Sequence, residues 1–189
     1  QWRLTLNQLG FIGQDDRRYG GLGYGNISIR HKGGFIISGT QTGHLDRLTP
    51  EHYAFVESCD PKVNHIVAAG PVKPSSEALT HGAVYQLDET IQAVIHVHSP
   101  EIWSLSDRLF LPATPVDVPY GTPEMAAAVA QLWCDDRLTL SPVFTMAGHQ
   151  DGVVSFGRDM TEAGMALLNT FQGARAFELN DALEMDGAY

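Results

Sequence analysis

His96 and His98 are the residues of this chain best placed for chemistry. They stand one residue apart in Val94-Ile95-His96-Val97-His98-Ser99-Pro100. Successive side chains of a β-strand point to opposite faces, so both imidazoles project from one face while Ile95 and Val97 pack on the other. The apolar lead-in of Ile91, Ala93, Val94 and Ile95 predicts a buried strand, and Pro100 predicts its end just past the second histidine. Such a strand delivers two nitrogen donors to its own tip, the donor type that holds zinc at about 2.0–2.1 Å. The same pattern also describes two histidines satisfied by neighbouring carbonyls. A third ligand and a carboxylate elsewhere in the chain would decide between the two.

Candidates for both exist. Ala147-Gly148-His149-Gln150-Asp151-Gly152 joins two apolar runs, Pro142 to Met146 and Val153 to Phe156. Its glycines let the backbone bend while the strands fix the turn, which is where a third ligand would be displayed. Pro74-Ser75-Ser76-Glu77-Ala78-Leu79-Thr80-His81 predicts the start of a helix, with a serine cap and an apolar stripe of Ala78, Leu79, Ala83 and Leu87. A helix N-terminus offers unpaired N–H groups and the positive end of its dipole, so Ser75 and Ser76 are candidates to hold a phosphate or carboxylate. Glu77 in the predicted first turn is favourable on dipole grounds alone. His81, four residues on and on the same helical face, makes a Glu–His metal pair a weaker option.

The remaining elements must position these groups. Trp2 to Gln14 predicts a short helix and a loop, and the segment from Asp15 to Gly25 is rich in glycine but lacks the dinucleotide-binding spacing. Asn26 to Arg30 alternates as a strand, Gly33-Gly34 signals a hairpin, and Phe35 to Ser38 is the return strand. That strand runs into Gly39-Thr40-Gln41-Thr42-Gly43, where backbone N–H groups can approach an anion closely. Tyr53 to Val56 and His65 to Ala68, separated by Asp60-Pro61, predict a second hairpin in which His65 is an ordinary strand histidine. Thr122-Pro123 opens a helix through Trp133, and Asp159-Met160-Thr161-Glu162 is a capping box for the last helix.

Composition narrows the partners. At 189 residues, 43% of them hydrophobic, the chain is sized for one domain over residues 1–189. A formal charge of −10 argues against nucleic acid or an anionic membrane as partner. No apolar run approaches the roughly 20 residues of a membrane span. The chain begins at Gln1, so a preceding or cleaved segment stays open. Two cysteines, Cys59 and Cys134, with no CxxC spacing, favour a reducing compartment, and hence the cytoplasm, over a disulfide framework.

Gly25-Asn26-Ile27-Ser28, the Thr42-Gly43 turn, Pro74-Ser75-Ser76-Glu77, His96-Val97-His98 and Gly148-His149, taken in this order, resemble the class II aldolase/adducin family. The resemblance spans about Leu9 to Phe177 and implies a three-layer α/β/α fold around a largely antiparallel central sheet. It further implies a homotetramer with sites between subunits. Carried over residue by residue, the family's metal ligands fall on His96, His98 and His149, with zinc the first expectation, and its catalytic carboxylate on Glu77. Its phosphate-holding residues fall on Asn26, Thr42, Gly43, Ser75 and Ser76. The implied activity is that of a metal-dependent lyase of the aldolase type, acting on a small hydroxylated keto compound such as a sugar phosphate through a metal-stabilised enediolate.

Two departures from the family bear on the reaction. The path from Pro100 to Gly121 is short where the family's second acid or base is carried, leaving Asp117 or Tyr120 as substitutes. The chain also stops at Tyr189, soon after its last predicted helix, where some members extend to supply a further tyrosine. Lys73 and Arg47 are the cations available for assignment to the phosphate. Epimerase, dehydratase or decarboxylase chemistry on the same metal site, and a non-catalytic adducin-like binding domain, are the alternatives.

Overall fold

A computed structural model of the chain describes residues 1–186; Tyr189 lies outside the described residues. In chain order the elements are helix α1 (Trp2–Gln8), strands β1 (Gly13–Gln14), β2 (Gly23–Tyr24), β3 (Asn26–His31), β4 (Gly34–Ser38), β5 (Tyr53–Asp60) and β6 (His65–Ala69), and helix α2 (Ala78–Leu87). There follow β7 (Ala93–His98), α3 (Pro100–Ser104), β8 (Ala113–Thr114), α4 (Pro123–Cys134), α5 (Arg137–Leu140), β9 (Val143–Met146), β10 (Gly152–Gly157) and α6 (Met160–Asp186). Eight strands form one sheet in the order β6-β5-β4-β3-β7-β10-β9-β8, and β1 pairs with β2 in a separate small ribbon. Every neighbouring pair in the large sheet is antiparallel except β8 with β9.

The β3–β4 hairpin turns on Lys32 and Gly33, both at positive φ (45° and 82°), as a two-residue turn matching strand twist requires. Gly34, the other half of the expected signal, already belongs to β4. It is needed there for a different reason: a Cβ at this position would collide with the Val56 carbonyl of β5. The second hairpin closes through Pro61–Val63, where the Asp60 carboxylate accepts the Lys62 N–H at 3.1 Å and Asn64 adopts the left-handed conformation.

Strand alternation sorts the apolar residues into two cores. On one face Phe35, Ile37, Val56, Val94, Val154 and Phe144 pack against Ala78 and Val84 of α2 and Met125 and Val129 of α4. On the other, Ile27, Ile95, Val97 and Val153 pack against Leu6 of α1, Ile102 of α3 and Leu167 of α6. These two helical layers around the sheet are the predicted three-layer arrangement. β7 lies in the middle, buried at all six positions, and its even-numbered histidines face the α2–α4 side.

One boundary differs from expectation. The helix predicted from Pro74 begins at Ala78, with Glu77 at the cap position and no side-chain cap. Residues 74–75 are held outside it by the end of β4: Pro74 bridges Gly39, and the Ser75 N–H donates to the Ser38 carbonyl at 3.2 Å. Ser75 caps only locally, its Oγ accepting the Glu77 N–H at 3.3 Å. Long-range pairing thus overrides a serine–proline start signal.

Candidate active site

The sheet brings three histidines together. His96 and His98 project from one face of β7, and the β9–β10 hairpin next to it carries His149 at its tip. In that hairpin the His149 N–H donates to Met146 and the Gly152 N–H to His149, at 2.9 and 2.8 Å. Ring centroids lie 5.2 Å apart for His96 and His98, 5.3 Å for His96 and His149, and 4.7 Å for His98 and His149. One ligating atom from each falls within 4.8 Å of the others. Gly152 permits this closeness, since a Cβ there would sit 2.6 Å from the His149 ring.

The protonation state suits a metal. Burial depresses all three imidazoles: His96 well below its ordinary value, His98 to about 3 and His149 to about 4. They are therefore neutral at physiological pH, the form that ligates. The Nδ1 atom of His96 donates to the Val153 carbonyl at 3.2 Å, which leaves the lone pair of Nε2 free to ligate. Nδ1 of His98 is buried without a partner. Three converging neutral nitrogens fit a divalent ion that accepts imidazole ligands.

Glu77 lines the same pocket, of about 260 Å³, but stands outside the histidine trio. It is buried, and burial raises its pKa to about 7 against the opposing hydrogen bond from Thr80 Oγ1, 2.8 Å from Oε2. Oε1 has no partner. An unpaired buried carboxylate near half-ionisation at neutral pH is suited to taking up and returning a proton.

A wall of mainly backbone and polar side chains completes the pocket: Gly39 to Gly43 after β4, Ser75 and Ser76 before α2, and Gly23 to Asn26 entering β3. Asn26 sits directly across from His96 in the β3–β7 ladder, buried, with Oδ1 unpartnered. No lysine or arginine is on this wall, so neither Lys73 nor Arg47 contributes to it.

The family model for the Class II Aldolase and Adducin N-terminal domain matches residues 14–175. The chain belongs to this family. It is 32% identical over 163 residues to the L-fuculose phosphate aldolase of Methanococcus maripaludis strain S2, covering 78% of this chain and 81% of the relative. It is 28% identical over 167 residues to the 3-oxo-tetronate 4-phosphate decarboxylase of Haemophilus influenzae, covering 78% and 73%. The L-fuculose-1-phosphate aldolase of Thermus thermophilus shares the fold, with a TM-score of 0.72 at 22% identity over all of this chain and 94% of that one. Several class II aldolase folds thus superpose on the sheet and helices described above.

Within this family member the predicted residues assort as follows. His96, His98, His149, Glu77, Asn26, Thr42, Gly43, Ser75 and Ser76 all line one pocket. His81 does not join the ligand cluster; its Nδ1 is 2.6 Å from Ser28 Oγ, which also meets the Tyr85 hydroxyl at 2.8 Å. Of the two proposed second acids, Tyr120 reaches the pocket, its ring 4.3 Å from that of His149, whereas Asp117 does not line it. The proline-broken segment is drawn in at Gly148, where a Cβ would collide with the carbonyls of Val118 and Val116.

Tyr19 is a site neighbour that sequence reasoning misses. Its ring packs 4.3 Å from that of His98, and its hydroxyl donates to Asp151 Oδ2 at 2.5 Å while accepting from Arg18 at 2.6 Å. Nothing in local periodicity marks it, since it belongs to the glycine-rich segment and meets a residue 132 positions away. Thr80 is equally silent, an ordinary helix residue until its hydroxyl is placed against Glu77.

Proposed function

We propose that this chain is a divalent-metal-dependent aldolase that cleaves a carbon–carbon bond in a small hydroxylated keto compound bearing a phosphate. The observation that carries the reading is the presence, in one pocket, of three neutral imidazoles and a buried, half-partnered carboxylate, Glu77. Held by His96, His98 and His149, a divalent ion supplies Lewis-acid polarisation of a substrate oxygen. Zinc is the first ion to try, given its preference for imidazole in open sites.

The chain's own residues do the rest. Asn26, Thr42, Gly43, Ser75 and Ser76 hold the phosphate by neutral donors, fixing the substrate's distance from the histidines. In the cleavage direction the substrate hydroxyl gives up its proton, its carbon–carbon bond breaks toward the ketone side, and the carbon left electron-rich takes a proton. Glu77, poised near neutral pH, delivers that proton at its free Oε1. Tyr120 relays the hydroxyl proton from the side of His149, its phenolic oxygen taking that proton as it gives its own to solvent.

Decarboxylation is the second reading, favoured by the likeness to the Haemophilus influenzae decarboxylase. It breaks a carbon–carbon bond to the same kind of electron-rich carbon and needs the same protonation by Glu77. A binding domain without chemistry has no use for an unpaired buried carboxylate, whose desolvation is a cost. A homotetramer is the assembly that the family resemblance supports, and a cytoplasmic setting is supported by the unpaired Cys59 and Cys134.

The deciding experiment is elemental analysis of wild type and His98→Ala side by side, followed by assay of L-fuculose 1-phosphate and 3-oxo-tetronate 4-phosphate. About one divalent ion per wild-type chain, absent from the variant, with release of an aldehyde product, is the expected result. Carbon dioxide release instead selects the decarboxylase, and a chain that takes up neither zinc nor manganese overturns both readings.

A further inference from the structure

The pocket wall assigned above to the phosphate carries no cation, yet a guanidinium lies buried directly behind it. Arg3 of α1 is 5% exposed. All of its hydrogen bonds go to backbone carbonyls of one turn: Nη2 donates to Thr42 at 2.9 Å and Gly43 at 3.3 Å, and Nη1 to Asp46 at 3.0 Å and to Leu45. Among the described residues no carboxylate forms an ion pair with it. A buried guanidinium is costly, and here four peptide carbonyls accept its hydrogen bonds while Asp46 and Tyr53 act on it at longer range.

Its bonds dictate what the turn shows to the pocket. In a trans peptide the C=O of one residue and the N–H of the next point in opposite directions, and no cis bond occurs among the described residues. Turning the Thr42 carbonyl inward to Arg3 therefore turns the Gly43 N–H outward, and turning the Gly43 carbonyl inward does the same for the His44 N–H. Gly43 lines the pocket, and its nitrogen faces the Gly23 wall, 3.4 Å from where a Cβ on Gly23 would be. Asn7, one helical turn after Arg3, repeats the device by donating Nδ2 to the Gly43 carbonyl at 3.4 Å and to Ile12 at 3.0 Å. Only glycine fits at position 43, because a Cβ there would strike the Gly13 carbonyl.

We propose that Arg3 is the positioning residue of the anion subsite, holding the 42–46 turn with the Gly43 N–H toward the pocket and supplying, one peptide unit behind the wall, the positive charge that the wall lacks. This rests on the phosphate reading of the pocket. In a medium of low dielectric a charge behind the turn acts on a bound anion without touching it. Arg3 therefore governs affinity for the phosphate, whereas the histidines and Glu77 govern the bond cleavage.

The test titrates inorganic phosphate into the metal-loaded full-length protein by calorimetry, for wild type, Arg3→Lys, Arg3→Gln and Leu6→Ala. Leu6 is fully buried on the same helix in the second core and has no donor to offer the turn, so its truncation reports what mere loosening of α1 does. Expected are phosphate affinities weakened about threefold in Arg3→Lys, which keeps the charge but not the fork, and about tenfold in Arg3→Gln. Metal content should be unchanged in both, KM for a phosphorylated substrate should rise in step, and kcat should hold. Leu6→Ala should melt earlier yet bind phosphate as wild type does. Wild-type affinity in Arg3→Gln, or an equal loss in Leu6→Ala, overturns the role of Arg3 while leaving the phosphate reading intact. Wild type that binds no phosphate overturns that reading and the role with it. Should Arg3→Gln fail to fold, Arg3→Lys decides by the same criteria.

Discussion

Thr80 donates its hydroxyl to Oε2 of Glu77 at 2.8 Å and leaves Oε1 with no partner inside the protein. The bond spans one turn at the start of α2, and it makes the two carboxylate oxygens inequivalent: one is anchored, the other is free to exchange a proton. The hydrogen bond favours the charged form, opposing the burial that raises the group to about 7. Thr80→Val should therefore push the Glu77 pKa higher still. The alkaline limb of kcat against pH, where Glu77 loses the proton it delivers, is expected to move upward by up to about one unit, with metal content unaltered. Glu77→Gln should keep its metal and lose about a hundredfold or more in kcat; a variant turning over at the wild-type rate removes Glu77 from the mechanism.

Acid should unfold the metal-free protein early. His81, His96, His98 and His149 are all held neutral by burial, with pKa values below the ordinary 6.5. The unfolded chain binds protons that the folded chain refuses, so the stability present above pH 6.5 is lost as pH falls toward 4. Each histidine contributes at most about 1.4 kcal/mol per pH unit to that slope. Glu77 works the other way, because its raised pKa favours the folded state as pH drops from about 7 to 4.5, but it is one group against four. Thermal melts of chelator-treated protein should show Tm falling steadily from pH 6.5 to 4.5, and a flat profile would mean the imidazoles are not buried neutral.

Gly148→Ala tests how Tyr120 reaches the pocket. The new methyl would meet the carbonyls of Val118 and Val116, forcing the proline-broken segment off the hairpin tip. A loss of about 1–3 kcal/mol is expected from overpacking of this kind, together with weaker metal binding because His149 is the adjacent residue. Intact stability and metal affinity would show that the segment is not wedged there.

Tyr19→Phe and Tyr120→Phe separate two aromatic neighbours of the histidines. Both keep their ring contacts, at 4.3 Å to His98 and 4.3 Å to His149. Tyr19→Phe removes the hydroxyl that bridges Arg18 and Asp151, leaving their direct ion pair at 3.9 Å, and should cost about 1–2 kcal/mol of stability, with kcat changed less than about threefold. Tyr120→Phe should leave stability alone and lower kcat by about a hundredfold. The reverse pattern would exchange their roles.

Much of the metal site is legible in the sequence because it depends on short-range geometry. The period of two along β7 puts His96 and His98 on one face whatever the rest of the chain does, and glycines around His149 mark a displayed turn. The start of α2 is displaced by four residues from its sequence signal, because Pro74-Ser75 speaks locally while the pairing that pulls it straight, with Gly39 and Ser38, is long-range. Tyr19 with Asp151 and Arg3 with the 42–46 turn leave no trace at all, and Tyr120 is legible only as one of two candidates, not in its contact with His149; these pairings join residues 29 to 132 positions apart.

By itself, then, the sequence determined the longer strands, their buried faces and the residue types able to hold a metal, since alternation and turn chemistry act over a few residues. Only the tertiary structure decided that Tyr120 rather than Asp117 enters the pocket, which oxygen of Glu77 is free, and that a guanidinium sits behind the anion wall. Those outcomes depend on how the sheet order stacks distant segments against one another, and on the burial that stacking imposes on each charge.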